Sequence, residues 1–378
     1  MTLIELLMPR RRRLVKQTAD NPNDSPQRIA WRRFRRNPLA VAGLAIIGLS
    51  LLVAIPGYLI TPDHTPHCNQ QYLELTTLPP GSKANFLITD EQPRQHTSLL
   101  KRMAVGEPLP YTATPIYSHT LTDSALYAET YTGGQPNDGD LIEVPLTAQP
   151  RVEQRTFLLG TDSYGHDLLS QLMIGSRVSL SVGFIAIAIA LLIGITLGAL
   201  AAYYGGWVDA LITWLINVVW SIPTILLVIA ITFALGKGFW QVFIAVGLTM
   251  WVDIARIVRG QVLSIKEKDY VEAARALGYS TPRIIFRHIL PGCLGPVIVV
   301  TASNFASAIL LEAGLSFLGI GVQPPMVSWG SMVKENYNHI LLGNAYLALL
   351  PGLAIMLIVL AFMMLGNGLQ ESLETKKQ

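Results

Sequence analysis

Glu272-Ala273-Ala274-Arg275-Ala276-Leu277-Gly278, followed shortly by Ile289-Leu290-Pro291, is a charged island between stretches apolar enough to cross a bilayer. The spacing of Tyr270, Ala273, Ala274 and Leu277 at i, i+3, i+4 and i+7 predicts a short helix with one apolar face, and Gly278 stands where a left-handed C-cap costs least. Thr281 offers an N-cap oxygen and Pro282 suits a first helical turn. A second short helix is therefore expected from Pro282 to about Leu290, with Pro291 as its stop. Lys266, Lys268, Glu272, Arg275, Arg283 and Arg287 give this helix-turn-helix platform an outward face suited to docking a soluble partner.

The residues around the platform are those of an integral membrane protein. Hydrophobic residues make up 51% of the chain and charged ones only 14%, a balance that a soluble domain of this size seldom shows. Six segments reach the ~20 mostly apolar residues a spanning helix needs, at about 39–60, 178–203, 210–235, 239–258, 293–311 and 345–368. Asp253 and Arg256 near the end of the fourth place its membrane exit close to Val252. The expected fold is an all-α integral membrane protein: six transmembrane helices with a small extracytoplasmic insert between the first two.

Orientation follows from the basic residues. Arg10 to Arg13, Lys16, Arg28, Arg32, Arg33, Arg35 and Arg36 precede the first span, which assigns segment 1–38 to the cytoplasm. Their place directly against a span favours this topological reading over a nucleic-acid or anionic-lipid patch. The polar stretch ahead of the apolar run is too long for a cleavable signal peptide, and none is expected. Six spans return the tail, 369–378, with Lys376 and Lys377, to the cytoplasmic side, and loop 259–291 lands there too, within the five-helix core 178–368. Region 61–177 carries seven Lys and Arg (Arg94 and Arg177 among them) against thirteen Asp and Glu, a net of −6 that belongs outside. Its prolines, Gly133-Gly134 and alternating Thr, Tyr and Leu predict short strands and loops.

Inside the membrane, Asn217, Ser221 and Thr224 share one helix face beside Pro223, which is expected to kink the helix; Ser303, Asn304 and Ser307 form a similar stripe. Such stripes face either a neighbouring helix or a translocation path. Gly194 and Gly198 read as close helix packing. Cys68 and Cys293 fall on different sides of the expected membrane and cannot pair. Asp63, His64, His67 and Cys68 have metal-binding residue types, but their spacing fits no regular ligand pattern and no metal site is assigned. Gly236-Lys237 lacks the rest of a phosphate-binding loop, and no catalytic motif is present.

The run from Glu272 to Pro291 resembles the EAA loop of ABC-transporter permeases. Glu-Ala-Ala, the spaced Gly278 and Leu290-Pro291 all match, and His288 stands where the family pattern has Ile. Further stretches are similar to the C-type subunits of the oligopeptide, dipeptide and nickel permeases. They are Arg32 to Leu44, Leu159-Gly160-Thr161-Asp162, Ala255 to Gly260, and Glu312-Ala313-Gly314-Leu315-Ser316-Phe317-Leu318-Gly319, the last assigned to the loop after span five. His166 and Gln171 depart from that pattern by replacing arginines, and the insert is longer than relatives usually carry.

The resemblance implies a transport subunit of a bacterial cytoplasmic (inner) membrane importer, with no cofactor and no catalysis of its own. It would pair with a second permease subunit, sit on two ABC ATPase subunits and receive solute from an extracytoplasmic binding protein, within membrane lipid and with no nucleic acid. Coupling to the ATPase is then expected through Glu272, Ala273, Ala274, Gly278, Arg283, Arg287 and Pro291, with peptides as solute and nickel or metal chelates as the alternative. A secondary transporter would need ionisable residues buried mid-span or broken helices in repeated halves, and the sequence suggests neither.

Overall fold

The computed structural model describes residues 26–89, 98–146, 149–236 and 238–373. The basic residues Arg10 to Arg13 and Lys16, Arg94, Lys237, and Lys376 and Lys377 of the tail lie outside the described residues.

Helix α1 (Pro26–Arg36) carries the remaining basic residues and meets α2 (Pro38–Ala54) at 90°. The corner is set by Asn37, whose Oδ1 accepts from the amides of Leu39 and Ala40 at 3.1 Å each, with Pro38 opening the new helix. α2 ends at Ala54, short of the expected residue 60, because Pro56 and Gly57 at φ +45° turn the chain into a 3-10 segment, Gly57–Leu59.

The next element is a sheet, so the chain is not all-α. Strands β1 (Ser82–Thr89), β2 (Thr112–Leu121), β3 (Ala125–Thr130), β4 (Leu141–Pro145) and β5 (Arg151–Phe157) form one antiparallel sheet in the order β4-β3-β2-β1-β5. Helix α3 (Leu99–Val105) lies between β1 and β2 in sequence. Alternation splits the apolar residues between two clusters. Phe86 packs with Tyr72, Leu75, Ala84 and Phe157, while its neighbour Leu87 packs with Ile116, Leu126, Ala128 and Val144. Arg155 holds the first cluster from above, bonded to the hydroxyls of Tyr72 and Tyr111 at 3.0 Å each and lying 4.7 Å over the Phe86 ring.

The remaining chain is helical. α4 (Leu168–Tyr204) begins ten residues before the expected boundary, N-capped by Asp167; at 37 residues, about 55 Å, it outruns the bilayer core. α5 (Gly206–Ser221) and α6 (Thr224–Leu235) meet at a 96° break. The cause is local: Pro223 disfavours helical geometry at Ile222, which is extended at φ −93°, ψ 129°. α7 spans Phe239–Ile265 without interruption, seven residues beyond the expected end. α8 (Asp269–Ala276) and α9 (Thr281–Ile284) form the platform, followed by α10 (Leu290–Phe317), α11 (Trp329–Asn336) and α12 (Tyr346–Leu373). Among the described residues, four helical runs are long and apolar enough to cross a membrane alone, Leu168–Tyr204, Trp240–Ile265, Thr281–Phe317 and Tyr346–Leu373; six are reached when each bent pair counts as one span.

Close packing between spans relies on glycine. A Cβ at Gly194 would stand 2.7 Å from the Trp251 carbonyl oxygen and one at Gly198 2.5 Å from that of Ala255, so α4 and α7 touch backbone to backbone, as expected. Gly43 and Gly368 do the same between α2 and α12, and Asn37 Nδ2 donates to Glu371 Oε2 at 2.8 Å. The first described span thus begins beside the end of the last. The platform lies at this same end of the bundle, where Gly295 of α10 meets Leu373. The sheet region joins the other end, with Tyr346 donating to the Leu78 carbonyl at 2.9 Å.

That opposite end is knitted by a polar cluster. Residues 312–317, expected in a loop, complete α10, and Glu312 is fully buried. Its carboxylate accepts from Ser316 Oγ at 2.7 Å and from Ser179 Oγ of α4 at 3.2 Å, while Ser179 Oγ also accepts from the Trp329 amide at 3.3 Å. Three helices therefore share one hydrogen-bonded centre.

Candidate functional site

α8 ends as the sequence predicts. Gly278 sits at φ +73°, its N–H bonds to Arg275 O at 2.9 Å, and the Tyr279 N–H reaches back to Ala274 O at 3.2 Å. This is the Schellman pairing that a left-handed glycine permits. The face of α8 is rotated from the expected one. Val271 and Ala274 are buried, whereas Tyr270 is 47% and Leu277 72% exposed, and Ala273 and Glu272 also face outward. Val271 was the better inward residue because it stands three before Ala274, on the side that packs on Ile284 and Ile285 within one apolar cluster.

Past the glycine, the turn differs from expectation at two points. Ser280 rather than Thr281 takes the N-cap position of α9, extended at ψ 147° and making no side-chain cap bond. Pro291 does not stop the helix. Residues Ile285–Ile289 widen into a π-turn, with the Leu290 N–H bonding to Ile285 O five residues back, so Pro291 falls in the first turn of a new α-helical stretch that continues as α10. The platform and the following span are consequently one helical run, Thr281–Phe317.

Aromatic contacts fix the basic side chains. Arg283 lies 4.3 Å over the Tyr279 ring, Arg275 5.4 Å over Tyr203 at the end of α4, and His288 stacks on Tyr279 at 5.8 Å between centroids. Lys266 Nζ donates to the Ala202 carbonyl at 2.8 Å, at the C-terminus of α4 where a cation is favoured. Phe286 is 71% exposed and Arg287 is exposed beside it. An outward surface results in which Tyr270, Leu277 and Phe286 stand among Glu272, Arg283 and Arg287, apolar area rimmed by charge.

The intramembrane stripes are only partly brought together. Thr224, Asn304 and Ser307 line a cavity of about 450 Å³ at the α5–α6 break, together with Trp220, Thr249 and Asp253. Asn217 and Ser303 are exposed outside that lining, and Ser221 Oγ bonds its own helix at Val218 O, 2.8 Å. Thr249 and Asp253 join this lining from α7, which continues to Ile265 and so holds Asp253, expected beside the membrane exit, at its middle. A carboxylate thus stands at mid-helix on α7, and the kink expected at Pro223 is a 96° break.

Near the sheet, the candidate metal ligands serve the fold. His64 Nδ1 lies 2.7 Å from Tyr58 O, and Cys68, fully buried, donates to Asp63 O at 3.2 Å. Burial pushes the Cys68 thiol well above its ordinary pKa and the His67 imidazole below its own. Among the described residues, no three His, Cys, Asp or Glu gather as a metal site.

Comparison with known proteins accords with this architecture. Residues 194–378 match the family described as binding-protein-dependent transport system inner membrane component, and residues 25–80 match the N-terminal TM domain of oligopeptide transport permease C. The glutathione transport system permease protein GsiD of Pectobacterium atrosepticum is 41% identical over 218 residues, 58% of this chain and 72% of that one. The dipeptide transport system permease protein DppC of Alkalihalophilus pseudofirmus is 42% identical over 217 residues, 57% and 71% of the respective chains. The DppC protein of Bacillus subtilis is 39% identical over 236 residues, 62% and 74%. Among solved structures, the inward-facing MetNI methionine ABC transporter aligns at a TM-score of 0.45 with 19% identity, covering 55% of this chain and 98% of that one. The chain belongs to the binding-protein-dependent inner membrane components, the permease subunits of ABC importers.

Proposed function

We propose that this subunit forms half of the translocation path of a peptide importer and takes its drive from cytoplasmic ATPases through the α8–α9 platform. The observation that carries the coupling role is the exposed surface of Tyr270, Leu277 and Phe286 set among Glu272, Arg283 and Arg287, at the end of the bundle where the first span begins and the last one finishes. Such a surface suits the groove of a soluble partner. Movement of α9 passes directly into α10, because no loop separates them. ATP-driven closure of two ATPases would bias the paired permeases between inward- and outward-facing states, provided the nucleotide stabilises one of them differentially.

The peptide reading is supported by the dipeptide and glutathione systems to which the 39–42% identical relatives belong. Both termini and the platform would be cytoplasmic, while the sheet region would face outward toward a solute-binding protein. Reconstituting the subunit with its sister permease, ATPases and binding protein tests this reading. ATP- and binding-protein-dependent uptake of labelled dipeptides is expected. Efficient uptake without ATPases, or of no peptide at all, would reject it.

A further inference from the structure

Asp253 has no part in the coupling platform, yet its position is costly. It stands at the middle of α7 (Phe239–Ile265), where an ionised side chain is tolerated only against a partner or a hydrated cavity. The cavity of about 450 Å³ at the α5–α6 break supplies the second condition. Among the described residues no hydrogen bond or salt bridge reaches the Asp253 carboxylate. Arg256, one turn further along, attracts the Asp253 carboxylate electrostatically without forming an ion pair with it, and holds its guanidinium 3.7 Å over the Trp220 ring.

The polar groups around Asp253 have already committed protons to the backbone. Thr249 Oγ1 donates to Val246 O at 2.8 Å, Ser307 Oγ to Ser303 O at 3.3 Å, and Asn304 Nδ2 to Met250 O at 3.4 Å. Donors remain beside them, the second Asn304 N–H, the Thr224 hydroxyl and the Trp220 indole N–H, while Asp253 is the one charged side chain among the lining residues. An ammonium group, with three donors, no acceptor and a positive charge, is the complement of that carboxylate.

We propose that this cavity selects solutes bearing an ammonium group, with Asp253 as the counter-charge during passage. Identifying that group as a peptide's free amino end rests on the peptide-import reading; the preference for cations does not.

The test uses the complete transporter in proteoliposomes, with a reporter cysteine in place of Ser307. Cys68 and Cys293 are both buried, which keeps background labelling low. Cationic and anionic methanethiosulfonates are compared with and without Asp253→Asn. The cation-to-anion rate ratio is expected to fall about tenfold in Asp253→Asn, as loss of one nearby charge at intermediate dielectric implies, and to recover in Asp253→Glu. With Ser307 intact, uptake of alanyl-alanine is expected to follow the same order. An unchanged labelling ratio in Asp253→Asn overturns the proposal, as does a lowered ratio with undiminished alanyl-alanine uptake. If the unsubstituted transporter imports no dipeptide, the peptide reading fails and the labelling ratio alone decides the cation preference.

Discussion

Arg259 grips Asp209 through two bonds of 2.6 Å, Nε to Oδ1 and Nη2 to Oδ2, and so ties the helix that leads into the platform to the helix that ends at the membrane break. The pair is partly buried and bidentate, the geometry in which an ion pair contributes most reliably. Asp209→Ala should destabilise the detergent-solubilised protein by about 1–2 kcal/mol, and the Asp209→Ala, Arg259→Ala double variant should lose less than the sum of the two single losses. A thermal-shift double-mutant cycle showing coupling below about 0.3 kcal/mol would show the contact to be energetically idle.

The buried Glu312 cluster makes a second, different demand. Glu312→Gln keeps a carbonyl oxygen for Ser316 or Ser179 and should be mild, whereas Glu312→Ala strands both hydroxyls and should cost about 1–3 kcal/mol. Equal loss of folded protein in the two variants would mean that volume, not hydrogen bonding, is what the site needs.

Sidedness is open to direct labelling. A cysteine at exposed Asp123, in the turn between β2 and β3, should react with an impermeant thiol reagent in intact cells, and one at exposed Ser280 should react only after permeabilisation. The reverse pattern would invert the proposed topology.

The docking surface predicts a selective defect. Leu277→Ser and Phe286→Ser remove exposed apolar area without touching the cluster that holds Val271 and Ala274. Membrane insertion and thermal stability should stay within about 0.5 kcal/mol of the parent, as for surface substitutions generally, while ATPase subunits co-purify less. Undiminished co-purification from the double variant would place the ATPase contact elsewhere.

What could be read from sequence, and what could not, divides along local and tertiary causes. Gly278 and Pro223 act on their own backbone, so the left-handed cap and the break were both legible. Which face of α8 turns inward depends on Ile284 and Ile285 packing from the next turn, and a four-residue apolar repeat did not reveal that Val271 outranks Tyr270 and Leu277. Pro291 misled for a related reason: a π-turn can absorb a missing N–H, and composition alone carries no sign of it. The cavity was not legible because its lining comes from four helices, α5, α6, α7 and α10, brought together only by tertiary packing.

Coupling through the platform is tested most directly by solute-stimulated ATP hydrolysis and uptake in Gly278→Val, Gly278→Asn and Glu272→Arg. A Cβ at Gly278 meets nothing within 4 Å, so the penalty for valine at φ +73° is purely conformational, about 1–2 kcal/mol, and asparagine should largely escape it. Gly278→Val and Glu272→Arg are expected to insert normally yet lose both uptake and stimulated hydrolysis, while Gly278→Asn retains them. Normal stimulated hydrolysis and uptake in Gly278→Val and Glu272→Arg together would contradict the assignment of α8 and α9 as the coupling element.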